Sequence, residues 1–270
     1  MGRGQRRDAR GPDPGPRRHC PRGAAGRLPQ TARRRSRRAS PPRRRADEIG
    51  QAAEVGDVRN GSVARVVTVD PVAPAAAVLR DAAIRLRQGE LVAFPTETFY
   101  GLGAAALDSH AIKRIFELKG RPESKPLLAL VDSVTMAETV AHVSPAAKTM
   151  MARHWPGALT IVLAARADVP AALTAGTGTI GLRASSHPVA LGLVRALGAP
   201  VTAPSANPSG DEPPASAVGV LGYFPEGIAL VLDGGPTAGG KPSTVLDMTV
   251  EPPRVLRQGV VRLTAAELAR

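Results

Sequence analysis

The sequence predicts an α/β fold: one domain with a twisted mixed β-sheet and flanking helices. Three observations carry that prediction. Short apolar or β-branched runs alternate with helix-period segments from residue 62 to the end. Polar, glycine-bearing loops repeatedly follow the apolar runs, which is where open α/β sheets hold ligands. Hydrophobic residues make up 43% of the chain and aromatics only 3%, so a sizeable core is available but must be built from Ala, Val, Leu and Ile.

Taken in order, Ser62–Val69 (SVARVVTV) is short and β-branched and predicts a strand. Pro74–Arg87 spaces its apolar residues as a helix does, with Gly89 at its C-cap. Leu91–Phe94 is a buried strand stopped by Pro95, and Pro95–Gly103 reads as a loop. Asp108 or Ser109 caps a helix with the apolar face Ala111, Ile112, Ile115 and Phe116, ended by Lys119 and Gly120. Leu127–Val131 is the next strand, and Ser133 and Ser144 cap two further helices. Ala158–Ala164 is a continuous apolar run of the central-strand type. Ala165–Gly178 is read as a loop, Thr179–Arg183 as a strand and Pro188–Leu197 as a helix. Val201–Ala203 is a strand leading into the turn Pro204–Gly210, and Ala215–Phe224 is helical. Strands follow at Ile228–Leu232, Ser243–Val250 and Arg254–Leu256, and Thr264 with Glu267 forms a capping box.

The formal net charge of +13 divides unevenly. Residues 1–50 carry 16 Arg and no Lys against four acidic residues, which leaves +12; residues 51–270 carry 20 basic and 19 acidic residues, which leaves +1. The first 60 residues are rich in Arg, Pro, Gly and Ala and cannot bury enough surface to offset their ordering entropy. They are expected to be disordered, with residues 61–270 forming the folded domain. The lone cysteine, Cys20, falls in the disordered part, which excludes a disulfide framework for the rest. No apolar run approaches the ~20 residues of a membrane helix. No membrane partner and a cytoplasmic location are the expectation.

Several chemistries are excluded by pattern. No GxxxxGK[ST] phosphate loop and no GxSxG elbow is present. His110, His142, His154 and His187 lack metal-ligand spacing, and no carboxylate cluster suggests a metal cage. What remains is a set of cations, hydroxyls and amides at strand ends. They lie in Pro95–Gly103, Lys119–Lys125, Thr179–Arg183 with Ser205–Asn207, and Ser243–Arg257. That inventory suits a protein that positions charged substrates and neutralises developing charge, as in phosphoryl or nucleotidyl transfer. Arg183 abuts an apolar strand and needs a partner, either a structural carboxylate or a ligand.

These segments, in this order, resemble the YrdC/Sua5 family of L-threonylcarbamoyladenylate synthases. The stretches are FPTETFYGLG (94–103), KGRPESKPL (119–127), PGALTIVL (156–163), TIGLRASSHP (179–188), APSANPSG (203–210), LDGGP (232–236), PSTVLD (242–247) and PPRVLRQG (252–259). The resemblance implies a single YrdC-like domain with a concave, positively charged face, in the short form that lacks the C-terminal Sua5 domain. It implies a nucleotidyltransferase that makes threonylcarbamoyl-AMP and pyrophosphate from L-threonine, bicarbonate and ATP. A separate threonylcarbamoyl-transferase then modifies adenosine 37 of tRNAs reading ANN codons. By motif, Thr98, Arg183, Ser205 and Ser243 hold threonine; Arg121, Lys125, Thr179, Asn207 and Arg257 hold ATP; and Lys119 with Arg121 acts at the reacting groups. Mg²⁺ enters through the ATP phosphates. Weak tRNA or double-stranded RNA binding is a further implied partner, and a non-catalytic RNA-binding protein on this domain is the alternative. The chain departs from the pattern at Lys125, where many members have Asn, and at Leu130, where many have a His that touches threonine. It departs again at Pro213-Pro214-Ala215 and at Gln258.

Overall fold

The structure, a computed structural model, describes residues 63–269. The expected disorder of residues 1–60 lies outside the described residues. The chain runs β1 (Arg65–Thr68), α1 (Ala76–Arg87), β2 (Val92–Pro95), β3 (Tyr100–Gly103), α2 (Ser109–Lys119), β4 (Leu128–Leu130), α3 (Val134–Val140) and α4 (Pro145–His154). It continues through β5 (Leu159–Ala164), α5 (Ala171–Thr174), β6 (Thr179–Arg183), α6 (Pro188–Leu197), β7 (Val201–Thr202), α7 (Ala217–Tyr223) and β8 (Leu230–Asp233), then β9 (Thr244–Asp247), β10 (Arg254–Arg257) and α8 (Ala265–Leu268).

The expected α/β fold is present, but its strands form two mixed sheets rather than one. The smaller has the order β1-β8-β2-β3 and the larger β10-β9-β5-β6-β4-β7. The stretch read as a loop at Pro95–Gly103 differs as well. Its second half is β3, an antiparallel partner of β2, and only residues 96–99 turn between them. Beyond that hairpin the chain meets β7 of the other sheet. Leu102 N donates to Pro204 O (2.8 Å), Thr202 N donates to Ala104 O (2.9 Å), and Gly101 bridges Ser205. A hydrogen-bonded seam therefore stitches the sheets where two predicted loops face each other. The loop expected at Ala165–Gly178 also contains a short helix, α5.

Helix chemistry places the functional turns. Asp108, not Ser109, is the N-cap of α2; its carboxylate accepts from His110 N (2.9 Å) and Ala111 N (3.2 Å). Gly120 closes the helix in the left-handed region (φ 55°), so Lys119 is the last helical residue and Arg121 begins the next turn. Helix α1 buries Leu79, Ala82, Ala83 and Leu86, one face at helical spacing, against α6. A Cβ on Gly192 would meet Leu79 Cδ1 at 2.6 Å, so the two helices approach at the one position with no side chain. Two apolar clusters result. One lies around β2, α1 and α6; the other joins α2, α4 and α7 to both sheets through Leu102, Ala129, Leu159, Leu182 and Val231.

Candidate functional site

A cavity of about 580 Å³ opens where strand ends of the larger sheet meet the β2–β3 turn. Seven of the residues singled out in the sequence line it: Thr98, Arg121, Thr179, Arg183, Ser205, Ser243 and Arg257. Lys119, Lys125 and Asn207 do not.

The turn wall is built by Thr96. Its Oγ1 donates to Phe99 O (2.7 Å) and lies 3.2 Å from Thr98 Oγ1, while Thr98 N and Phe99 N point back at it. This ST-turn holds Thr98, itself buried, against the cavity. Gly239 N donates to Thr98 O (2.8 Å), so a second loop pins the same residue.

The opposite wall comes from the larger sheet. Arg183 ends β6 and is only 3% exposed. Of the two partners open to it in the sequence, the structure supplies a carboxylate: Glu97 Oε1 is 3.2 Å from Arg183 Nη1. Arg183 Nε and Glu97 Oε1 are both buried without a hydrogen-bond partner, so their groups meet as an ion pair rather than through an aligned hydrogen bond. Burial lowers the Arg183 pKa and Glu97 opposes that shift; an arginine stays charged in either case. Ser243 precedes β9, and its Oγ lies 3.0 Å from Thr160 Oγ1 on β5. Arg257, on the edge strand β10, donates through Nε (3.1 Å) and Nη2 (2.9 Å) to Ser243 O and through Nη2 to Ser243 Oγ (3.1 Å). Burial and then the neighbouring Arg183 charge lower the Arg257 pKa. Gly259 lets this segment lie against the strand beside it, since a Cβ there would fall 2.1 Å from Pro242 O. Thr160 is the residue that sequence reasoning missed here. A single hydroxyl within the apolar run ALTIVL was the available signal.

The third side is cationic. Arg121 reaches the cavity while its Nη2 donates to Pro126 O (3.0 Å) and its Nε to Lys125 O (3.3 Å). Thr179 Oγ1 pairs with Thr177 Oγ1 (2.9 Å). Lys119 stands behind the wall, 3% exposed, with Nζ donating to Ser205 O and Asn207 O. Burial, helped by Arg121, lowers its pKa to about 8. Asn207 spends Nδ2 on Pro208 O (2.7 Å) and Asp211 O (2.8 Å), and its Oδ1 is buried without a partner. Lys119 and Asn207 therefore organise the Ser205 turn, and Lys125 is exposed.

Among the described residues the cavity wall contains no Asp or Glu, and no group of three or more His, Cys, Asp or Glu is placed to hold a metal ion. No helix of the described residues is long and apolar enough to cross a membrane. A pocket walled by hydroxyls and three guanidiniums has the chemistry to accept anionic groups.

A Sua5/YciO/YrdC family model, described as telomere recombination, matches residues 85–259. The chain belongs to the Sua5/YciO/YrdC family. Among its relatives, a threonylcarbamoyl-AMP synthase of Pyrococcus abyssi is 46% identical over 190 residues, covering 70% of this chain and 56% of the relative. One of Bacillus subtilis is 45% identical over 183 residues, covering 67% and 53%. The chain spans about half the length of these curated relatives. The crystal structure of P. abyssi Sua5 complexed with L-threonine superposes with a TM-score of 0.69 at 44% identity, over 72% of this chain and 57% of that one. Against the Sua5/YciO/YrdC pattern, the departure at Leu130 now has a physical setting. The side chain is 1% exposed and belongs to the core cluster with Val92, Phe94 and Val201, while Leu128 of the same strand lines the cavity. Pro213 of the Pro213-Pro214-Ala215 departure also reaches the cavity wall.

Proposed function

We propose that this chain is a threonylcarbamoyl-AMP synthase, a nucleotidyltransferase acting on L-threonine, bicarbonate and Mg·ATP. The observation that carries the reading is the buried Arg183, facing a cavity walled by the hydroxyls of Thr98, Ser205 and Ser243. That combination is what an amino-acid carboxylate and a polar side chain require. The names of relatives at 45–46% identity support the same reading.

The amino nitrogen of threonine attacks bicarbonate, water leaves, and N-carboxy-threonine forms. Its new carboxylate oxygen attacks the α-phosphorus of ATP. The bond to the β-phosphate oxygen breaks, giving threonylcarbamoyl-AMP and pyrophosphate. In this scheme Arg183 takes the threonine carboxylate. Arg121, Arg257 and Thr179, which line the cavity, take phosphate oxygens, while the exposed Lys125 lies outside the wall and adds charge at most from there. Lys119 sets the Ser205–Asn207 turn and adds a positive charge behind the reacting groups. With no carboxylate in the wall, a Mg²⁺ would be held through the nucleotide's phosphates, where it would neutralise their charge, and the protein's share is orientation and the arginine charges. The product would pass to a threonylcarbamoyl-transferase acting on tRNA. The RNA-binding alternative rests on the arginines of residues 1–50, which lie outside the described residues.

The test is purified full-length protein with Mg·ATP, labelled bicarbonate and L-threonine. Threonine-dependent formation of an adenylate with one pyrophosphate is expected, and its absence overturns the reading. Deleting residues 1–60 is expected to leave that reaction intact. Loss of adenylate formation in the deletion variant would count against placing the chemistry in the described domain.

A further inference from the structure

Glu97 has no part in the reaction as written. It sits in the turn between β2 and β3, and both flanking threonines line the cavity although it does not. Its side chain instead runs behind the wall. Oε1 meets Arg183 Nη1 at 3.2 Å, and Oε2 accepts a hydrogen bond from Ser185 Oγ. Ser185 is 1% exposed, and its Oγ also accepts from His187 N (3.2 Å) at the entry to α6. Ser185, Glu97 and Arg183 thus form a chain that runs from the start of a helix to the cavity.

We infer that Glu97 is the positioning residue of the amino-acid subsite: held by Ser185, it takes the Nη1 edge of Arg183 and fixes which donors that guanidinium presents to an α-carboxylate. The inference rests on the proposed function for the identity of the ligand. A guanidinium carries five N–H donors in one rigid plane, so fixing one nitrogen fixes the direction of the rest. Among the described residues Glu97 is the side chain that forms an ion pair with Arg183, and neither Glu97 Oε1 nor Arg183 Nε is engaged in a hydrogen bond, so the charge contact at Nη1 is what orients the guanidinium. Arg257 lies close enough to repel it. Without Glu97, two like charges and a long flexible side chain would have to be ordered by the substrate itself, which weakens binding. Glu97 also compensates a guanidinium that is 3% exposed.

The experiment uses Glu97→Gln and Ser185→Ala in the full chain, each checked by its thermal melt to be folded at the assay temperature. For Glu97→Gln the KM for L-threonine is expected to rise by about tenfold or more, with the KM for ATP within about twofold of the parent value. Ser185→Ala is expected to move the threonine KM the same way by less. Because it leaves both charges in place, it carries the test if Glu97→Gln fails to fold. A second readout needs no turnover: nitrogen NMR of the Arg183 guanidinium. Hindered Nη rotation is expected in the parent and averaged signals in Glu97→Gln. Equal rises in both KM values, an unchanged threonine KM, or an Arg183 signal indifferent to the substitution would each overturn the inference. A parent protein that makes no adenylate would sink the proposed function alone, and the NMR comparison would still decide the role of Glu97.

Discussion

The centre and the edge of the larger sheet each supply the site with an arginine, under opposite conditions. Arg183 ends β6, which has a strand on either side, and it is buried and paired with Glu97. Arg257 lies on β10, an outer strand whose residues are mostly exposed, and its partners are the carbonyl and hydroxyl oxygens of Ser243, with no countercharge. A buried charge must be matched by the protein before any ligand arrives, whereas an exposed one is matched by water. On the proposed function, the amino-acid end of the cavity would be built into the fold and the nucleotide end laid along its rim.

If this contrast holds, substitutions should separate stability from binding in a definite order. Arg183→Ala is expected to have the largest effect. It leaves Glu97 without its countercharge, which costs about 3–5 kcal/mol of stability, and it removes threonine binding while ATP binding persists. Chemical denaturation and direct binding measurements check both halves, and equal loss of the two ligands would erase the contrast. Ser243→Ala comes next. It deprives the buried Thr160 hydroxyl of its partner and removes one acceptor of Arg257, for about 1–3 kcal/mol together with a raised threonine KM.

The third prediction concerns pH. The Lys119 pKa is lowered to about 8, so its charge is present at neutral pH and is lost as pH rises through that value. An anion bound nearby favours the charged form, so nucleotide binding should take up a proton near pH 8 and weaken above it. Calorimetry in buffers of different ionisation enthalpy reads that proton, and Lys119→Met should abolish it. Smallest in stability is Arg257→Ala, expected to stay within about 0.5 kcal/mol of the parent because the residue is at the surface. Its KM for ATP should nevertheless rise several-fold. A large drop in melting temperature would show that the rim is as structural as the centre.

Local chemistry made much of the fold legible. Ser133 and Ser144 cap helices as their positions predict, and the Thr264–Glu267 capping box is present. The apolar runs at residues 91–94, 158–164 and 228–232 became strands. Illegible were the features that depend on residues far apart in the chain. Tyr100–Gly103 carries two glycines and reads as a loop, and only its pairing with β2 and Pro204 makes it a strand. The division into two sheets likewise depends on pairings between strands far apart in the chain, such as β1 with β8 and β5 with β9. In the site, residue types announced cations and hydroxyls, and the structure brought seven of them to one cavity. Composition could not reveal that Lys119 and Asn207 serve the turn behind it, or that Glu97 answers Arg183. Those roles come from which way a side chain leaves its backbone.

The seam between β3 and β7 has a consequence for how such a cavity tolerates change. Thr98 and Ser205, on facing walls, belong to two segments zipped together by successive backbone hydrogen bonds from Gly101 to Ala106. Their separation is therefore counted in whole rungs. A slip of one residue would displace a wall by about 3.3 Å and turn its side chains to the other face. A side-chain substitution in this cavity keeps that register, whereas an insertion or deletion between residues 100 and 106 breaks it.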